Sequence, residues 1–291
     1  MRLTGVSMNK RVAGVVSLVV TTILWGSSFS FIKLSVTDVS PLTYSSLRSF
    51  IAVILLTPII LLRMYRGVLS INSLYKGFIV GITYFLGLFL QAAGTVYTTP
   101  SLSAFITGLN SVHVHLYVAL VERNYGLIDG ISLLLALSGL YVLTSPSGGL
   151  TIGVLLIFIG SIAWAAQIIL VSRYGSSSII EILYGMFLPG ALTYPFALIL
   201  GGTVSIEALI YITYLAVACS VLATFFQVWG QRYVSPLTAA LIFLLEPVFA
   251  LLFSLAMGLE DIEPYKVIGG GLIVIATYLS SMAELSSNRS K

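Results

Sequence analysis

The sequence predicts an all-α polytopic membrane protein with ten transmembrane helices in two inverted five-helix repeats. Three observations lead there. Hydrophobic residues make up 58% of the 291 and charged residues only 8%; ten apolar stretches fill nearly the whole chain; and the second five echo the first five. A soluble domain carries roughly a quarter of its residues as charged side chains, so lipid rather than water is the solvent here. The surplus of 14 Lys and Arg over 10 Asp and Glu is for the same reason no nucleic-acid footprint.

A spanning helix needs about 20 mostly apolar residues, because the hydrocarbon core is about 30 Å thick and each helical residue adds about 1.5 Å. Segments of that kind run 12–34, 42–62, 75–97, 101–121, 128–144, 151–171, 180–200, 208–231, 236–256 and 265–285. The first follows Arg2, Lys10 and Arg11 and so imitates a signal peptide, yet its apolar run is too long and no small-residue cleavage site closes it. It is expected to be a retained helix, with Trp25 and Ser28 on one face and Lys33 as an interfacial anchor at its end. The second carries Arg48 about 10 Å from its outer end, together with Pro58. In the third, Tyr84 precedes Gln91 by two turns among Gly81, Gly87 and Gly94, which permit close helix approach. The fourth opens at Pro100 and turns polar at Asn110, His113 and His115. The sixth pairs Trp164 with Gln167, and the seventh contains Pro189 and Pro195, where bends are tolerated. The eighth holds Gln227, Gln231 and Cys219, which is the lone cysteine and so excludes a disulfide framework and a Cys-based zinc site. The ninth places Glu246 and Pro247 ten and eleven residues after Pro236. Gly269, Gly270 and Gly271 open the tenth.

Basic residues gather in cytoplasmic loops. With the N-terminus inside, Arg2, Lys10, Arg11, Arg63, Arg66, Lys76, Arg123, Arg173, Arg232, Arg289 and Lys291 are cytoplasmic, and only Lys33, Arg48 and Lys266 fall toward the other side. The outer loops collect Asp38, Glu207, Glu260, Asp261 and Glu263. The expected location is the cell membrane, multi-pass, with both termini cytoplasmic.

The repeat is visible residue by residue. Gln91, Gly94, Tyr97, Pro100 and Ala104 recur as Gln227, Gly230, Tyr233, Pro236 and Ala240, at a constant offset of 136. Trp25 and Trp164 recur in the first helix of each half. Each half, 12–144 and 151–285, has five helices, an odd number, so the second enters from the opposite side, and inverted repeats of this kind place a substrate site at the midplane between the halves.

These residues also carry a resemblance. Leu24-Trp25-Gly26-Ser27-Ser28-Phe29, Arg48, the run from Gln231-Arg232-Tyr233-Val234-Ser235-Pro236 to Leu245-Glu246-Pro247-Val248-Phe249-Ala250, and Gly269-Gly270-Gly271-Leu272-Ile273 resemble the EamA-type drug/metabolite transporter superfamily over nearly the full chain. The resemblance implies two EamA repeats, no ATPase domain, and export or exchange of small metabolites, as in bacterial aromatic amino acid exporters.

The chemistry is expected from polar groups at membrane depth. Glu246 lies about 15 Å beyond Pro236, half of the hydrocarbon core, where an ionisable group marks a pathway or proton relay or else pins a helix as a buried carboxyl. The offset maps it onto Asn110, and His113 lies on the same helix face as Asn110. The predicted substrate cavity therefore draws on Trp25, Tyr84, Gln91, Asn110, His113, Trp164, Gln167, Gln227 and Glu246. Arg48 is read either as snorkelling to the interface, as an ion-pair or coupling partner of Glu246, or as attracting an anionic substrate. His113 and His115 diverge on their helix, so no metal site is expected, and no cofactor or catalytic constellation is found. The reading is a non-enzymatic secondary transporter, exporter or exchanger of a small amphipathic metabolite such as an amino acid, working by alternating access with proton coupling through Glu246. Its partners are a small-molecule substrate and the bilayer, in a monomer or homodimer. A nucleotide-sugar or sugar-phosphate antiporter would need several cations in the cavity. An intramembrane enzyme using Glu246 and His113 has no need of two-sided access, and a non-transporting scaffold has no need of midplane polar groups in both halves.

Overall fold

The computed structural model describes residues 7–123, 125–144, 151–200, 203–256, 261 and 263–286; Arg2, Glu260, Arg289 and Lys291 lie outside the described residues. Ten helical spans account for nearly all of it, and no strand occurs among the described residues. Helix 1 (Met8–Asp38), helix 2 (Pro41–Tyr65), helix 3 (Ile71–Thr95), helix 4 (Pro100–Glu122) and helix 5 (Leu127–Thr144) form the first half. Helix 6 (Ile152–Tyr174), helix 7 (Ile179–Ile199), helix 8 (Ile206–Gly230), helix 9 (Pro236–Ala256) and helix 10 (Pro264–Ser286) form the second. Nine are long and apolar enough to cross a bilayer, and helix 5 is a shorter apolar helix.

Local sequence explains where several spans begin. The side chains of Ser40, Ser70, Thr99, Thr151, Ser205 and Ser235 each accept a hydrogen bond from a backbone N–H in the first turn of the helix that follows, filling donors a helix start leaves open. Pro41, Pro100 and Pro236 occupy the opening positions, where a missing N–H costs nothing. The caps at Thr99 and Ser235 stand at the same offset of 136 as the repeat.

The helices are inside out relative to a soluble protein. Helix 2 buries Thr43, Ser45, Ser46, Arg48 and Ser49 and exposes Ile54, Leu55, Ile59, Leu61 and Leu62. Lipid tails accept that apolar face, while polar groups find partners only inside the bundle.

The two halves interleave instead of standing side by side. Helix 10 packs on helix 5, helix 7 on helices 2 and 3, helix 6 on helix 3, and helix 1 on helices 8 and 9. The first part of helix 4 meets the last part of helix 9 and the reverse, as an antiparallel pair must, which is the packing of an inverted repeat. Glycines bring these elements together: a Cβ on Gly77 would stand 2.4 Å from the Ile182 carbonyl oxygen, and one on Gly269 would stand 2.2 Å from the Leu143 nitrogen.

Three spans are interrupted. Helix 1 changes segment at Ser27, helix 4 at Leu109, and helix 9 at Leu244 and Leu245, so that Ser28, Asn110 and Glu246 each begin a new helical segment near the middle of their span. Helix 8 is wound as a π-helix over Leu215–Leu222, and helix 4 over Val118–Glu122. Pro58, Pro189 and Pro195 sit within unbroken helices, whereas Pro247 adjoins the break in helix 9.

Candidate functional site

The interruptions surround one cavity. Helix 1 contributes Trp25 and Ser28, helix 2 Arg48, helix 3 Tyr84, Leu88 and Gln91, helix 4 Thr107 and Asn110, helix 6 Trp164, Gln167 and Ile168, and helix 9 Glu246. Both halves thus supply walls. Trp25, Tyr84, Gln91, Asn110, Trp164, Gln167, Glu246 and Arg48, singled out in the sequence, all line it.

Aromatic rings form one side. Trp164 lies 6.4 Å from Trp25 and meets the edge of Tyr84 at 5.3 Å, between ring centroids, within the range of favourable ring packing. Trp25 donates its Nε1–H to the Cys219 carbonyl at 2.9 Å. That carbonyl lies in the π segment of helix 8, whose altered hydrogen-bond register brings it within reach of the Trp25 ring.

Arg48 is 3% exposed, so it does not snorkel to the interface. Its Nε–H donates to Ser220 Oγ at 2.8 Å and its Nη1 to Tyr44 OH at 2.7 Å. Ser220 Oγ in turn lies 3.0 Å from Tyr84 OH. A guanidinium carries five N–H donors, so three remain after these bonds, and no side chain among the described residues takes them. Glu246, 9% exposed, makes no hydrogen bond or ion pair among the described residues. The expected contact ion pair between Arg48 and Glu246 is therefore absent, although both face one cavity. The reason is local: two hydroxyls hold Arg48 on the helix 2 and helix 8 side, while the backbone break fixes Glu246 in helix 9. Asn110 Oδ1 and Trp164 Nε1 are likewise buried without a partner among the described residues.

Two sequence-predicted residues do not reach the wall. His113 sits three positions after Asn110, a rotation of about 60° and a shift of about 4.5 Å along the axis, which turns it from the cavity into the seam with helix 6. There its Nε2 lies 3.1 Å from Ser161 Oγ and its ring meets Phe158 edge-on. Gln227 stands one layer behind the wall, donating to Gln167 Oε1 at 2.9 Å and accepting from Gln167 Nε2 at 3.0 Å. Its repeat mate Gln91 lines the cavity and donates to Thr107 at 3.2 Å. His115 turns to the Ser111 carbonyl at 2.8 Å. Lys33, expected as an interfacial anchor, donates to the carbonyls of Thr95, Val96 and Thr98 at 2.9–3.1 Å and closes the end of helix 3.

Residues 12–145 and 151–282 each match the EamA-like transporter family. The chain belongs to that family. An uncharacterized transporter of Archaeoglobus fulgidus is 30% identical over 278 residues, 94% of this chain and 87% of that protein. The uncharacterized inner membrane transporter YedA of Escherichia coli is 26% identical over 281 residues, covering 90% and 88%. A solved crystal structure superposes with a TM-score of 0.71 at 17% identity, covering 93% of this chain and 97% of that one, a likeness of fold. The molecule is thus a multi-pass membrane transporter of the EamA family.

Within this EamA fold, Leu88, Thr107 and Ile168 are wall residues that patterning did not single out, and Tyr44 and Ser220 are the groups that hold Arg48. A signal for Ser220 existed: it stands 136 residues after Tyr84, the offset of the repeat. A partner was also missed for Arg63, whose Nε–H donates to Glu181 Oε1 at 2.9 Å. Glu181 is fully buried and also accepts from the Ser70 N–H at 3.1 Å and from Ser178 Oγ, tying helix 7 to the link between helices 2 and 3.

Proposed function

We propose that this EamA-family chain is a secondary transporter, an exporter or exchanger, that moves a small amphipathic metabolite such as an amino acid by alternating access about the midplane cavity. The observation that supports this best is the coincidence of helix breaks with cavity walls: Asn110 and Glu246, mates at the 136-residue offset, both start a new segment and both line the same space. Broken helices at the interface of inverted repeats are the construction by which transporters offer a fixed site to either side. Aromatic rings on one wall and amide, guanidinium and carboxylate groups on the others suit a ligand with an apolar body and a polar head. Arg48 is the only cation among the lining residues, which argues against phosphate-bearing substrates, because these are met by several cations.

Both termini are placed in the cytoplasm by the basic-residue bias, and Glu246 is the group that takes up a proton or a cation during the cycle. Counterflow tests the carrier reading. Vesicles preloaded with an unlabelled amino acid mixture should accumulate labelled amino acid transiently, and tracer entering no faster than into protein-free vesicles, for every amino acid tried, removes it.

A further inference from the structure

The cavity contains one basic and one acidic side chain that form no contact ion pair with each other, and we infer that Arg48 and Glu246 are the two poles of a clamp for a zwitterion, a compact ligand bearing a carboxylate and an ammonium together. This deepens the carrier reading and rests on it for the cavity being the substrate site. Three features carry it. First, both groups are at least nine-tenths buried, Arg48 at 3% and Glu246 at 9% exposure, and a buried ionisable group keeps its charge only with a partner. Second, neither finds that partner in the other, although both line the same space; Arg48 is held off by its bonds to Ser220 and Tyr44. Third, each pole has an unpartnered helper of matching polarity in the same cavity. Asn110 Oδ1 is an acceptor to add to the Glu246 carboxylate, and Trp164 Nε1 is a donor to add to the three free N–H groups of Arg48.

Charge arithmetic then selects the ligand. A monoanion satisfies Arg48 and leaves Glu246 either facing it with like charge or protonated, whereas a monocation leaves Arg48 without a counter-charge. A neutral ligand leaves both charges unpaired. Only a molecule with both charges satisfies both poles in their ionised forms, and the planar fork of Arg48 suits a carboxylate, which it can meet with two parallel hydrogen bonds. Ser220 is on this view a positioning residue. It touches the guanidinium rather than the ligand, and the π winding of helix 8 is what brings it there.

Ligand-induced thermal stabilisation of the purified protein in detergent tests this with two isosteric sets: phenylalanine, phenethylamine and hydrocinnamate; and leucine, isoamylamine and isocaproate. In at least one set the zwitterion should bind about tenfold or more tighter than either singly charged member, a step of about 1.4 kcal/mol. Arg48→Gln should erase the preference over the amine, and Glu246→Gln the preference over the acid. Ser220→Ala, which keeps both charges, should weaken the zwitterion and the acid while leaving the amine unchanged. A singly charged member binding as tightly as its zwitterion in both sets, or no zwitterion in either set binding, overturns the clamp; because this comparison uses the wild-type protein, it holds even if a variant fails to fold. If the zwitterion preference is found in detergent while vesicles show no counterflow, the clamp stands and the carrier reading fails.

Discussion

Gln167 and Gln227 offer the sharpest energetic test of how the cavity wall is held. Each amide donates to the other, at 3.0 and 2.9 Å, and both side chains are fully buried. Replacing Gln227 with leucine removes both bonds at nearly constant volume. The Gln167 amide nitrogen keeps only a 3.9 Å contact to the Met186 sulfur, and its oxygen is left with nothing. Stranding a buried donor and acceptor costs about 1–3 kcal/mol, whereas hydrogen bonds measured between membrane helices average about 0.6 and reach about 1.7 kcal/mol. We therefore expect each single variant, Gln167→Leu or Gln227→Leu, to lose about 2 kcal/mol. The double variant, which strands nothing, should lose less than the sum by about 1–2 kcal/mol. The assay is reversible unfolding in mixed detergent micelles, run as a double-mutant cycle. Gln227→Leu should also weaken ligand binding although Gln227 does not line the cavity, because Gln167 does and loses its orientation. Additivity within about 0.5 kcal/mol would refute the reciprocal pair.

Three further outcomes follow from other parts of the structure. A Cβ at Gly26 would stand 2.5 Å from Phe249 Cβ and 3.0 Å from both Ala250 N and the Glu246 carbonyl oxygen, so Gly26→Ala should cost about 1–3 kcal/mol by overpacking; an unchanged thermal midpoint contradicts that contact. Single cysteines in a Cys219→Ser background should label from the cytoplasm near Arg66 and from outside near Asp261, and the opposite pattern inverts the topology. Glu246→Gln should abolish proton-driven accumulation while exchange persists at about tenfold higher substrate, and full gradient-driven transport in this variant would make Glu246 structural.

The spans and the repeat were legible because lipid imposes a simple rule: about 20 apolar residues in a row, read twice. Most of the cavity wall was legible for the same reason, since a Gln, Asn, Arg or Glu inside such a run has to face the interior. What patterning could not resolve was depth along a helix face. His113 shares a side of helix 4 with Asn110, but the cavity reaches scarcely one turn, so three residues separate a wall position from a packing position. Gln227 lies inward as expected yet one layer too deep, because another amide, Gln167, stands in front of it. The break at Leu109 has no proline to announce it, and neither has the one at Ser27; the available signals were Gly26 beside two serines and Gly108 before Asn110, since glycine and serine pairs also weaken a helix. The π winding of helix 8 has no marker in the residues that adopt it.

The departures from symmetry carry as much information as the symmetry. Helices 4 and 9 are broken at matched positions, just before Asn110 and Glu246, and Tyr84 touches its own mate Ser220 at 3.0 Å. Two residues related by a pseudo-two-fold can touch as mates only near that axis, so the axis passes through the cavity wall beside Arg48. Helix 1, by contrast, is broken at Ser27 while its mate helix 6 is continuous, and helix 8 carries a π segment while its mate helix 3 is a regular α-helix. In the alternating-access reading the two halves exchange conformations about a fixed centre. The centre is then the matched pair of breaks with Tyr84 and Ser220, and helices 1, 3, 6 and 8 are among those in which the two states differ. Trp25 and Trp164, the repeat mates on helices 1 and 6, pack together in the aromatic wall with ring centroids 6.4 Å apart. They belong to a pair of helices that differ, so in that reading the aromatic wall changes when the cavity changes sides, while Arg48 stays near the axis.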